Sequence, residues 1–162
     1  MKDLELTVLR SDVMRQVALD TAYVAAKNVR ADELCDTVPV VHADDELLGT
    51  FWLQACAIAR EAVAEYLTVM PLMSRCAHAE SPSPSADLHL HLRLPDNYDL
   101  SQAMTARQSL ASFLACHVLA KWLAVALPEA ENRFSAAADM HLALLRIALH
   151  RRRRPLMPPT IY

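Results

Sequence analysis

The sequence predicts a mainly α protein, a four-helix-type bundle carrying a small two-stranded β element at residues 3–9 and 88–94. Three observations carry that expectation. Of 162 residues, 54% are apolar and only Gly49 is glycine. Glycine-rich phosphate loops, dinucleotide fingerprints and two-residue hairpins are therefore excluded, because each needs glycine at set positions. The stretch from Leu110 to Leu127, LASFLACHVLAKWLAVAL, is interrupted only by Ser112, His117 and Lys121. Two short runs, DLELTVL and LHLHLRL, alternate apolar and polar residues as half-buried strands do.

In residues 3–9, Leu4, Leu6 and Val8 point one way and Glu5 and Thr7 the other. Ser11 is a natural N-cap for a first helix over 11–28, with Asp12 at the favourable end of its dipole. Its inward stripe is Val13, Met14, Val17, Ala18, Thr21, Val24 and Ala25. Residues 30–43 form a connection broken by Pro39. A second helix, 44–69, begins at Asp44 or Asp45, where the acids of DDELL complement the orphan N–H groups of a first turn. Pro71 stops it. Residues 71–87 contain SPSPS and no apolar period, so they read as an exposed loop. Strand 88–94 turns both His89 and His91 away from its four leucines. NYDLS then leads into a long helix at 101–127. Pro128 separates it from a last helix at 129–153, and Pro155, Pro158 and Pro159 make 155–162 an extended tail. Residues 1–154 fit one domain with a single core.

The long helix is the centre of this arrangement. The eighteen residues from Leu110 would span about 27 Å, close to a bilayer core. Lys121 lies deep in the run, however, at a depth where a lysine costs roughly 3 kcal/mol to insert. No membrane span is expected, and the helix reads as one covered on several sides by its neighbours. At about 100° per residue, Arg107, Leu110, Leu114, His117 and Lys121 share one arc. Either the long basic stems cover those leucines or the arc meets another subunit; the second reading makes Leu110, Leu114 and Lys121 candidate subunit contacts. The last helix carries Phe134, Ala138, Leu142, Leu145 and Leu149 on one side and Met140, Leu144 and Ile147 on another. That is more apolar surface than one intramolecular partner usually covers. Met140, Leu144 and Ile147 are therefore candidate subunit contacts as well.

Chemistry-bearing residues form no recognisable catalytic set, and neither an enzyme nor a cofactor is expected. The four cysteines, Cys35, Cys56, Cys76 and Cys116, lack metal-ligand spacing and read as free thiols of a reducing cytoplasm. MKDLELTVLR lacks the apolar core of a signal peptide. His89 and His91, with His78 and Cys76, would be a weak metal set, since no acid or thiol stands at a defined spacing. The net charge of -3 gives no global pull towards nucleic acid, but Arg151, Arg152, Arg153 and Arg154 form one basic cluster.

Several segments together, RSDVM with TAY and AK in the first helix, DDELLGTFWLQA, NYDLS, KW late in the third helix and the terminal RRRRP, resemble small helical proteins of tailed phages and prophages of Bacteroidetes-type bacteria. The wider resemblance is to the head–tail connector (head-completion) proteins of tailed phages. It covers most of the chain except the loop at 71–87 and rests on spacing and residue type. It implies a structural virion protein that is made in the bacterial host cytoplasm and assembles as a homo-oligomeric ring, commonly a dodecamer. Such a ring docks on the portal, offers a platform to tail proteins and lines the DNA channel. On that reading Arg151 to Arg154 would touch the portal or, without sequence preference, the DNA. The rival classes are a small helical nucleic-acid- or partner-binding module and a histidine-based metal protein.

Overall fold

The computed structural model describes residues 1–28, 46–68 and 85–153. The chain is mostly helical: β1 (Lys2–Val8), α1 (Arg10–Asn28), α2 (Glu46–Ala62), β2 (Leu88–Leu94), α3 (Ala103–Ala126) and α4 (Pro128–His150). Single 3₁₀ turns at Ala64–Tyr66 and Leu100–Gln102 follow α2 and precede α3. The four helices and the two-stranded antiparallel sheet agree with the expected class. The connection at 30–43, Asp44 and Asp45, most of the loop at 71–87 and the tail lie outside the described residues.

α3 is the centre of the bundle. Ala106, Leu110, Phe113, Leu114, Val118, Leu119, Trp122 and Leu123 are all buried, and they point in every direction around the helix. α4 packs against α3 most extensively, while α1, α2 and β1 cover the remaining sides. Over Leu100–Ala126 the helix is long and apolar enough to cross a membrane, yet 56% of its most apolar window is buried within the protein. Neighbouring helices therefore account for its apolar surface. The core continues through Val13, Met14 and Val17 of α1, Leu48, Trp52, Ala55 and Ala59 of α2, and the four leucines of β2. Gly49 is buried within α2, where a missing side chain, and no turn, is its contribution.

Boundaries differ from the sequence expectation where distant residues intervene. α1 starts at Arg10, before Ser11, because the Arg10 N–H donates to the Asp87 carboxylate at 2.8 Å. The cap comes from across the fold, and Ser11 is not the N-cap. α2 ends at Ala62, short of residue 69, because Leu67 bridges Leu92 and the Thr68 N–H donates to the His91 carbonyl at 3.0 Å. Pairing to the sheet outweighs continuation of the helix. Pro128 is the first residue of α4, a position where its missing N–H leaves no bond unmade. Only Leu127 links α3 to α4, so the two helices must double back on each other.

β1 and β2 pair within the chain in the register Lys2↔Leu94 through Val8↔Leu88. Because His91 turns its carbonyl towards Thr68, the odd-numbered residues of β2 aim their backbone groups away from β1. The hydrogen-bonded pairs are thus the even ones, such as Leu4↔Leu92 and Leu6↔Leu90. Asp3↔Arg93, Glu5↔His91 and Thr7↔His89 are the close, non-hydrogen-bonded pairs on the solvent face. Asp3 and Arg93 form an ion pair at 3.6 Å, and the Thr7 hydroxyl lies 3.2 Å from His89 Nδ1.

Two substitutions test this core. Trp122→Ala should reduce the unfolding free energy by about 3–5 kcal/mol in urea titrations; a change within error would place Trp122 outside the core. Asp87→Ala should remove about 0.5–2 kcal/mol, the range for loss of a helix cap. Ser11→Ala should cost less than Asp87→Ala.

Candidate functional site: an exposed stripe on the last helix and the arginine end

α4 has two apolar sides, and among the described residues only one of them is covered. Ala138, Leu145 and Leu149 are buried, with Phe134 and Leu142 half-buried against the same core. On the other side, Met140, Leu144 and Ile147 are 54%, 41% and 56% exposed. Their spacing of four and then three residues sets them on one line along the helix. Between Met140 and Arg153 the sequence contains Arg146, Arg151, Arg152, Arg153, His141 and His150 and no acidic residue. The stripe is therefore bordered by cations. At its C-terminal end, Arg146, Ile147, His150 and Arg151 line an open depression of about 460 Å³.

The corresponding arc on α3 is only partly a surface. Leu110 and Leu114 are both fully buried, so neither can meet another subunit, and the expectation for them is corrected. Lys121 is exposed and Arg107 is exposed, while His117 between them is half-buried. α4, turned back by the one-residue link at Leu127, packs along α3 and reaches this arc at His117. Asp139 of α4 lies close enough to His117 to act on its charge.

The arginine run is also built into the fold more than a basic helix end would be. α4 stops at His150, and Arg151 is extended. Residues 151–153 lie alongside 97–99: the Asp99 N–H donates to the Arg151 carbonyl at 3.3 Å and the Arg153 N–H to the Asn97 carbonyl at 2.7 Å. Arg152 is half-buried and its Nη1 donates to the Leu149 carbonyl at 2.8 Å, capping the helix. Arg153 pairs with Asp99 at 3.9 Å. The Asp99 carboxyl is held below its usual range, mainly by hydrogen bonding from Ser101, with Arg153 and Lys2 adding to the effect. Arg151 is exposed and has no ion pair among the described residues. Arg154 lies outside them.

Beside this segment is a polar group that sequence reasoning missed. The Tyr66 hydroxyl is 2.8 Å from His150 Nδ1, the rings meet edge to face at 5.7 Å, and His150 Nε2 is 3.7 Å from Glu65. Burial and then Glu65 push the Tyr66 hydroxyl up, with Arg152 opposing. The Tyr98 hydroxyl is buried without a hydrogen bond, and burial raises its pKa too. No spacing signal could have joined residues 84 positions apart. The group ties the turn after α2 to the end of α4, and its protonated hydroxyls are poor nucleophiles.

The remaining chemistry is sparse. Burial raises the Cys56 thiol to about 11, Arg60 opposing, and raises Cys116 as well. His89 and His91 are exposed on the sheet, and no group of three or more His, Cys, Asp or Glu suited to a metal occurs among the described residues. Cys76 and His78 lie outside the described residues. Comparisons with protein-family models, with curated proteins and with solved structures found no match to the chain.

His117 makes the α3–α4 contact pH-dependent. Burial and then Lys121 lower its pKa from the ordinary 6.5, against a smaller opposing pull from Asp139. The unfolded chain binds the proton more readily, so this contribution to stability is complete above the unfolded value and is lost as the pH falls through it towards the folded one. Unfolding titrations between about pH 7.5 and 5 should show falling stability, and His117→Gln should flatten that slope. An unchanged slope in the variant would assign the pH dependence to another group.

Proposed function

We propose that this chain is a structural subunit that assembles with copies of itself into a ring of the kind joining a tailed-phage portal to the tail. The observation that carries the reading is the exposed line of Met140, Leu144 and Ile147 on a long, well-anchored helix. Apolar residues aligned on a rigid element and bordered by like charges are what a specific protein contact needs. The resemblance to connector proteins supplies the ring, the portal and tail partners, and the virion as the place of action. Of the described arginines, Arg151 is the one left for the portal or for DNA in the channel, since Arg152 and Arg153 are engaged within the fold.

A second reading, a nucleic-acid-binding module, draws on the acid-free stretch from Met140 to Arg153. It requires DNA affinity that falls steeply with salt, because each neutralised phosphate releases counterions.

Replacing Leu144 and Ile147 together by aspartate separates assembly from folding. Both side chains are exposed, so the double variant should keep its helical circular dichroism and lose less than about 1 kcal/mol of stability. Sedimentation velocity should show the native chain associating with rising concentration and the variant remaining monomeric. In a phage background the variant should leave heads unjoined to tails. Native chains that stay monomeric and are absent from purified particles would overturn the ring. Leu114→Asp, by contrast, should unfold the bundle, since it buries an unpaired carboxylate.

A further inference from the structure

Among the described residues, the two edges of the sheet differ. On the outer edge of β2, Leu67 bridges Leu92 and the Thr68 N–H donates to the His91 carbonyl. On β1, the even residues bond to β2, so the N–H and C=O groups of Asp3, Glu5 and Thr7 face outward. The Thr7 carbonyl accepts from Arg107 Nε at 3.2 Å. Asp3 and Glu5 have no hydrogen bond on that side among the described residues, which leaves four backbone groups free in two alternate residues. The Lys2 Nζ donates to the Tyr98 carbonyl at 2.8 Å and anchors one end of the strand. Arg107 marks the other end. Between these anchors the outer ladder is unmade among the described residues.

We propose that this edge of β1 accepts an extended segment of another protein that alternates apolar residues with lysine or arginine. Charge complementarity sets the partner's chemistry. Asp3 and Glu5 are exposed acids on the solvent face, and Leu4, between them, is only partly buried. A strand added here places every second side chain beside Asp3 and Glu5 and the others beside Leu4 and Leu6. The inner neighbour already shows the pattern that fits: β2 sets Arg93 beside Asp3, His91 beside Glu5 and leucines between them. The free edge repeats the same demand. A second copy of β1 fits poorly, because a register that pairs the two free residues, Asp3 and Glu5, with those of the other copy sets acid against acid, Asp3 against Asp3, Glu5 against Glu5 or Asp3 against Glu5. Backbone bonds supply affinity and the alternating charges supply selection, as in strand addition generally. The inference does not depend on the ring, since it uses neither α4 nor the arginine run.

The test uses the full chain and a fluorescein-labelled Val-Lys-Val-Lys-Val-Lys peptide. Its controls are a block peptide, Val-Val-Val-Lys-Lys-Lys, and an acidic one, Val-Glu-Val-Glu-Val-Glu. Anisotropy should rise with the alternating peptide at concentrations at least about tenfold below those needed for either control. Amide exchange at Asp3 and Glu5 should slow by about tenfold or more on binding, while Leu4 and Leu6, already bonded to β2, should not change. Glu5→Pro removes an outward N–H without touching the β1–β2 ladder and should weaken binding by roughly tenfold or more. Asp3→Lys with Glu5→Lys keeps the backbone and should abolish binding, which guards against a proline variant that folds poorly. Binding that leaves the Asp3 and Glu5 amides unprotected, equal affinity for the block peptide, or no binding at all would overturn the proposal. Protection of those amides by self-association alone would assign the edge to a second copy and would equally refute it.

Discussion

Everything in this fold depends on covering α3. A helix with buried residues around its whole circumference has no face to leave in water, so each other element is placed where it removes part of that surface. α4 takes the largest share because a single linking residue forces it back along α3. α1 and α2 take other sides, and the sheet closes the N-terminal part of the helix. The hydrophobic term for such burial is roughly proportional to area and has no direction of its own. Direction comes from the links and caps: Leu127 and Pro128 at one end, Asp87 on the first turn of α1, and the Arg151–Arg153 segment against Asn97–Asp99 at the other.

Covering α3 in this way has a consequence for α4. A helix with two apolar sides can turn only one of them to α3, and the side that remains carries Met140, Leu144 and Ile147. The cations that border it shape what can cover it, since a partner must bring apolar surface without adding positive charge. At the end of the stripe the extended arginine segment is fixed by backbone pairing, which gives a potential contact region a defined shape in place of a fraying helix end.

Much of this was legible from residues alone, and the gaps have physical causes. Period-two and period-3.6 patterns find the elements because burial is periodic: the leucines of 88–94 and the Val13–Thr21 stripe lie inward as their spacing requires. The two sides of α4 were readable for the same reason. A helical wheel, however, gives relative directions without saying which sector a neighbour occupies. The arc of Leu110, Leu114 and Lys121 and the stripe of Met140, Leu144 and Ile147 are equivalent on a wheel, and only the short α3–α4 link makes one of them interior. Contacts between distant residues were out of reach as well. Asp87 caps Arg10, Tyr66 meets His150, and Leu67 leaves its helix to join Leu92, and none of these pairs has a local signature.

The molecule covers most of α3 by itself, and the reading proposed above assigns the outer side of α4 to a partner. Hydroxyl-radical footprinting of the free and assembled protein, read by mass spectrometry at single residues, tests both halves at once. Met140, Leu144 and Ile147 should be modified in the free chain and protected on assembly, while Leu110 and Leu114 should stay unmodified in both states. Labelling of Leu110 or Leu114 in the free chain, or a stripe on α4 labelled equally before and after assembly, would contradict it.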